Sequence, residues 1–205
     1  MSCRMKRNGS FLQTRQMIRL RYGNTNTFFI EGSHGGILFD TDYAGTLHDF
    51  YKAMKKAEIQ VRDIRFVLAS HYHPDHMGLI GDLQRQGVRL ILMDIQKDYV
   101  HESDHIFERE KSPFTPVDED DATVITCRES RDFLHEMGIE GEVLHTPSHS
   151  EDSVSLILDS GECFLGDITP FELIEGYEDN SALKSDWELI NSYRPRKFFY
   201  AHGPE

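Results

Sequence analysis

Residues 71–76, HYHPDH, place three imidazoles and a carboxylate within six positions, and this stretch constrains the chain more than any other. Pro74 has no backbone N–H and pushes His73 towards an extended conformation, so the stretch is not helical throughout. In extended chain, His71, His73 and Asp75 lie two apart and project to one side, while His76 falls out of phase and can face a second point. The preceding residues 64–70, IRFVLAS, read as a buried strand, which gives the cluster a rigid base. A lone histidine is by default a surface residue. Four ligand-type side chains this close together, next to a buried strand, would lack partners without a metal ion.

The rest of the chain alternates strand and helix signals. Residues 17–22 and 26–31 flank the turn-like GNTN, and GGILFD at 35–40 is a short apolar run ending in Asp40. Helical spacing over 45–59 is followed by the 64–70 strand, a short helix closed by Gly87 and the strand VRLILMD. Residues 94–111 are polar and helical in part, and KSPFTPVDEDD is a loop. ATVIT and EGEVLHT read as strands around a helix, SVSLILDSGECFLGD as a hairpin turning near Ser160-Gly161, SALKSDWELINSY as a helix and KFFYAHG as a last strand. Strands in two groups, each followed by helices, imply an α/β fold with two sheets.

A segment as short as HYHPDH rarely closes a metal site, so further ligands are expected at other strand ends. His145 and His149 follow one apolar run, Asp167 ends ECFLGD, and His202 ends FFYAHG. Together these residues resemble the metallo-β-lactamase-fold superfamily of metal hydrolases. Its pattern is an Asp after an early strand, His-x-His-x-Asp-His, a later His, an Asp and a final His. Asp40, His71, His73, Asp75, His76, His149, Asp167 and His202 occur here in that order. The resemblance implies a four-layered αββα sandwich of two mixed β-sheets flanked by helices. It also implies one metal on His71, His73 and His149, and a second on Asp75, His76 and His202. Asp167 would bridge the two, and Asp40 would brace the metal loop. His145 is expected to be structural, and Ser148 stands where the family often has Gly.

The implied function is a dinuclear-metal hydrolase in which a metal-bridging hydroxide cleaves a small ester, lactone or thioester, with Asp75 as its catalytic residue. Two divalent ions are expected, zinc first and iron or manganese as alternatives, because zinc lowers the pKa of bound water from about 15.7 to about 7. The zinc β-lactamases carry Cys or Ser where this chain has Asp167, which argues against antibiotic hydrolysis as the main role. Other readings are a mononuclear-iron dioxygenase acting on a thiol or persulfide, a phosphodiesterase of the same superfamily, and a metal-stabilised binding module without turnover. Phe171, Leu173 and Tyr177 are expected to give the pocket rim an apolar side, or else to pack under the following helix. Histidines 34, 48, 101, 105 and 135 fall outside the pattern and are expected at the surface, with His34 or His105 as candidates to line a pocket.

Length and charge set the remaining expectations. The 205 residues supply one sizeable core, hence a single domain over 1–205 with residues 1–15 as a flexible leader. Six Lys and Arg residues precede the first acidic residue, Glu31, yet the whole chain carries a net charge of −13. Such an acidic body repels polyanions, which counts against nucleic acid and leaves a small molecule as the expected partner. Cys3, Cys127 and Cys163 are widely spaced and odd in number, so no disulfide framework is implied. Neither a signal-peptide run nor a membrane span is evident, and a cytoplasmic location is expected. Oligomeric state is not encoded in any of these features.

Overall fold

The computed structural model describes residues 17–177 and 179–203, so the basic leader lies outside the described residues. The first sheet runs β1 (Met17–Arg21), β2 (Asn26–Ile30), β3 (Gly36–Phe39), β4 (Ile64–Leu68), β5 (Arg89–Met93) and β6 (Ala122–Ile125), in that spatial order. Its β1–β2 and β2–β3 pairs are antiparallel, whereas β3 to β6 pair in parallel. Parallel neighbours need crossovers. These are α1 (Leu47–Lys56), the pair α2 (Pro74–Met77) and α3 (Ile80–Gln84), and α4 (Asp104–Glu110).

After α5 (Cys127–Glu136) comes the second sheet, β7 (Gly141–His145), β8 (Val154–Leu158) and β9 (Glu162–Leu165), an antiparallel meander. Helix α6 (Ser181–Ser192) then returns the chain to β10 (Lys197–Tyr200), which pairs with β9 in parallel. Both sheets are therefore mixed, and the expected sandwich is the fold observed.

Period-two alternation sorts the strand side chains into layers. Ile37 and Phe39 of β3 face the inner core between the sheets, with Phe28, Leu68, Leu156 and Phe164. Leu38, between them in sequence, turns to the outer core beneath Phe50 and Met54 of α1, Leu83 of α3 and Phe107 of α4. On the opposite outer face, Cys163 and Leu165 of β9 meet Leu183, Trp187 and Ile190 of α6. Cys163 is thus a buried small apolar residue, as the strand alternation implies. Phe164 stacks on Phe199 with ring centroids 5.2 Å apart and lies 5.3 Å from Phe28, at the centre of the sandwich. Truncating it to Ala is expected to cost about 3–5 kcal/mol.

Local chemistry fixes the helix starts. Thr126 caps α5 by accepting the Glu129 N–H at 3.2 Å, and the Glu129 carboxylate accepts the Thr126 N–H at 2.9 Å, a reciprocal cap. Asn180 caps α6 through the Leu183 N–H at 2.9 Å. No described helix is long and apolar enough to cross a membrane.

Candidate metal centre

The expected site residues all lie at strand ends on one edge of the sandwich. Asp40 follows β3, His71 to His76 follow β4, His149 lies between β7 and β8, Asp167 follows β9 and His202 follows β10. The sheets are joined there by backbone hydrogen bonds from Val154 N–H to the Ser70 carbonyl and from Asn26 N–H to the Ala201 carbonyl, both 2.7 Å. Gly166 lets β9 approach this closely. A Cβ at that position would stand 2.5 Å from Ser70 Oγ and 3.3 Å from His71 Nδ1.

Asp40 is fully buried and holds a left-handed backbone, φ 60°, a conformation Asp tolerates better than most residues. Its carboxylate accepts the Ser70 N–H at 2.5 Å and the Ser70 hydroxyl at 2.9 Å, and faces His76 Nδ1 at 3.0 Å. His76 Nδ1 being engaged there, its Nε2 is left pointing into the site. The Ser70 hydroxyl also lies 3.0 Å from His71 Nδ1. Asp40 therefore orients a ligand-type histidine from behind.

The extended-chain geometry inferred for Asp75 does not hold. His73 is extended (ψ 152°), but Pro74 occupies the first position of α2, where its missing N–H costs nothing. Asp75 is helical and joins His76 rather than His71 and His73. Thr25 Oγ1 donates to the Asp75 carbonyl at 2.7 Å, and Thr41 N–H to the His76 carbonyl at 2.9 Å, which fixes this turn.

Three groups of potential ligand atoms, each within 4.8 Å of one another, result: His71, His73 and His149; Asp75, His76 and His202; and His71, His76 and Asp167. In the second group His76 Nε2 and His202 Nε2 are 3.3 Å apart, and Asp167 Oδ1 is 3.3 Å from each. Asp75 Oδ2 is 3.2 Å from His202 Nε2. In the first, His149 Nε2 lies 3.2 Å from His73 Nδ1 and 3.7 Å from Asp167 Oδ2. Two donors about 2.0–2.1 Å from one tetrahedral ion stand about 3.3 Å apart, so these separations fit a shared cation. His71 Nε2 is buried without any hydrogen-bond partner, a cost that a cation would remove. The residues present thus suit divalent metal.

Protonation divides the groups. Burial, reinforced by its neighbours His76 and His73, holds the His71 pKa far below the usual imidazole value, and burial likewise lowers His149. Burial also disfavours charge on His76, but Asp40 and Asp167 outweigh it and push the pKa up to about 10. The Asp75 carboxylate raises His202. Burial raises the carboxyls of Asp75 and Asp167, yet hydrogen bonding from His202 and from His76, respectively, carries both down to about 2.

Several supporting residues escaped the sequence reading: Ser70, Thr25, Gln96, Asp152 and Asp186, whose carboxylate accepts the Ser148 N–H at 2.8 Å. His145 is structural, its Nε2 lying 2.8 Å from the Glu151 carbonyl. Tyr72 and Met77 pack in the outer core. His34 and His105 are exposed, and neither belongs to the three groups. Phe171 and Leu173 are 45% and 56% exposed, while Ile174 packs on the core beneath α6. Phe171 also meets the edge of Trp187, centroids 5.4 Å apart. The side chain of Tyr177, expected at the same rim, lies outside what the structure describes.

A family model for the metallo-beta-lactamase superfamily matches residues 20–202. Among curated proteins, the beta-lactamase-like protein 2 homolog of Drosophila melanogaster is 27% identical over 186 residues, covering 87% of this chain and 58% of its own. An atrochrysone carboxyl ACP thioesterase of Passalora fulva is 26% identical over 199 residues, covering 90% and 50% respectively. The chain thus spans a little over half the length of the first, and half that of the second. Among solved structures, a metallo-beta-lactamase family protein from Thermus thermophilus superposes with a TM-score of 0.71 at 16% identity, over 95% of this chain and 75% of that one. The protein TTHA1623, solved in a di-iron-bound form, gives 0.66 at 18% identity over 92% of both chains.

Proposed function

The chain belongs to the metallo-β-lactamase superfamily, and on that premise we propose that it is a hydrolase with a two-ion centre acting on a small ester, lactone or thioester. The observation that carries this reading is the position of Asp167. One of its carboxylate oxygens stands 3.3 Å from His76 and His202, and the other 3.7 Å from His149, so the carboxylate sits between the two groups and supports a shared role. His71, His73 and His149 would hold one ion, and Asp75, His76 and His202 the other. The nitrogen-rich donor set suits zinc, and it also suits iron, which the di-iron relative holds. Bound divalent ions would supply polarisation of the scissile carbonyl and an activated water.

The protein's own residues do the rest. Asp75 is partly exposed and held ionised by His202, so its carboxylate would accept a hydrogen bond from a water bound there and would take the proton destined for the leaving group. His73 and His149 are exposed at the open face, which marks the side from which substrate arrives. Phe171 and Leu173 begin just beyond Asp167 and offer an apolar surface to an acyl group. The thioesterase among the relatives favours acyl transfer to water over phosphodiester cleavage. A cytoplasmic enzyme, folded as one domain and acting on a small molecule, completes the proposal.

The test pairs metal analysis with a substrate panel. Protein purified without added metal is expected to carry about two ions per chain, and to hydrolyse a member of a lactone, thioester and aryl ester series. Asp75→Asn should abolish that turnover and weaken retention of the ion assigned to Asp75, His76 and His202. A single iron with oxygen-dependent turnover of a thiol would sink the proposal, as would inactivity of the fully metallated protein towards the whole series.

A further inference from the structure

The three-histidine group is built from two loops far apart in the chain, and one buried side chain spans both. Asp152 is 1% exposed. Its Oδ2 accepts the backbone N–H of Tyr72 at 2.7 Å, and Tyr72 sits between His71 and His73. Its Oδ1 accepts the hydroxyl of Ser150, the residue that follows His149. The Tyr72 carbonyl in turn accepts the Ser103 hydroxyl at 2.7 Å, so Tyr72 is held through both of its backbone groups.

Behind Asp152 lies Gln96, fully buried. Its side-chain amide donates to the Asp152 carbonyl at 3.2 Å and to the Ala69 carbonyl at 3.1 Å, and accepts the Met93 N–H at 3.3 Å. The end of β4, the end of β5 and the loop before β8 are thus tied to one another through a buried amide and a buried carboxylate.

The other ligand group has separate supports. Thr25 and Thr41 hold the backbone of Asp75 and His76, and His202 Nδ1 lies 3.2 Å from the Asn24 carbonyl. A buried carboxylate faced by neutral donors is a poor source of stability. What this one provides is geometry, because moving the His71–His73 loop would strand the buried Tyr72 N–H, and moving the His149 loop would break the Ser150 hydrogen bond.

We propose that Asp152 is a positioning residue dedicated to the three-histidine group, a clamp that sets the distance between the His71–His73 loop and the His149 loop. This rests on the metal-binding role proposed above. It goes further in assigning the three-histidine half a support of its own, in addition to the Ser70 hydroxyl, which lies 3.0 Å from His71 Nδ1 and 3.3 Å from His76 Nδ1 and serves both halves.

The experiment isolates each half in the metal-free chain. His202→Ala leaves the three-histidine group intact, and His149→Ala leaves the Asp75–His76–His202 group intact. Each background is titrated with Co2+ in competition with a chromophoric chelator, with and without Asp152→Ala. Loss of a partner behind metal ligands weakens binding by about 10–100-fold, so that loss is expected in the His202→Ala background and less than about 3-fold in the other. Asp152→Asn keeps an acceptor for the Tyr72 N–H and should recover part of the affinity and of the Co2+ absorption spectrum. Ser150→Ala removes only the arm next to His149, and a smaller loss confined to the same background is expected. This variant decides the matter should Asp152→Ala fail to fold. Equal losses in both backgrounds, or none in His202→Ala, would overturn the clamp while leaving the metal centre standing. Absence of Co2+ binding in the parent chain would overturn the metal centre and the clamp with it.

Discussion

The two halves of the centre differ in what keeps them together before any ion arrives. Asp75, His76 and His202 form a cluster in which Asp75 lies 3.2 Å from His202 and 3.8 Å from His76, with Asp167 3.3 Å from both imidazoles and Asp40 behind. His71, His73 and His149 contain no carboxylate of their own, and His71 Nε2 has no hydrogen-bond partner. Protons can stand in for a cation in the first cluster and not in the second. The three-histidine half therefore depends on an outside scaffold of Asp152, Ser150 and Gln96, whereas the carboxylate half largely holds itself.

The largest expected effect comes from removing what the halves share. Asp167→Asn takes the charge from between them, and its cost in turnover should exceed the roughly 100-fold typical of outer-shell losses. Metal content should fall from about two ions to about one, the retained ion reporting which half is stronger. Retention of both ions would show that the bridge is dispensable.

Gly166→Ala separates the halves sterically instead, since the added Cβ meets Ser70 Oγ at 2.5 Å. A destabilisation of about 1–3 kcal/mol is expected from such overpacking, read as a lower denaturant midpoint of the metal-free chain. An unchanged midpoint would mean that the sheets can part at this edge without cost.

Acid and base should strike the halves separately. His71 and His149 have native pKa values below that of free imidazole, about 6.5, so the unfolded chain takes up protons that the native one refuses, and stability falls as pH drops below about 6.5. His76 has its native value raised to about 10. Its contribution is fully present below about 6.5 and disappears as pH rises towards 10. Denaturant midpoints of the metal-free chain from pH 5 to 10 should show both limbs, and His76→Gln should flatten most of the alkaline one, the raised His202 accounting for the remainder. An alkaline limb unchanged in that variant would assign it elsewhere.

The smallest effect is expected at the rim. Leu173 is 56% exposed, so Leu173→Ser should leave stability within about 0.5 kcal/mol. It should nevertheless raise KM several-fold for long acyl substrates and leave kcat for short ones unchanged. Equal KM changes for both would remove Leu173 from the substrate's path.

The ligand roster was legible because each member ends an apolar run, and apolar runs are what strands look like in sequence. The hairpins at Gly23 and Gly161 and the helix over 181–192 were legible for the same reason. The extended phase that puts Asp75 beside His71 and His73 fails because Pro74, at a first helical position, starts a helix rather than breaking one. The turn it starts groups Asp75 with His76 and His202, the set that the family resemblance implies. Asp152 gave no signal at all. Its partner Tyr72 lies 80 positions away, and no local pattern marks an acidic residue as buried. Gln96 was hidden likewise in a stretch that reads as polar surface. What sequence carries well is the periodic part of the fold. Hydrogen bonds between loops brought together by both sheets have no period.

The ligand-type residues come from both sheets, five before the midpoint of the chain and three after it, Asp40 included. An ion held by both sets acts as a rivet through the edge of the sandwich, so letting go of metal and letting the sheets part become linked events. Amide protons at the ends of β4 and β9 should then exchange with solvent at a rate set by free metal, slow when it is plentiful and fast when it is scarce. The inner core, Phe164 included, would be less aware of the change, and the molecule would carry a readout of its own metal supply along one edge.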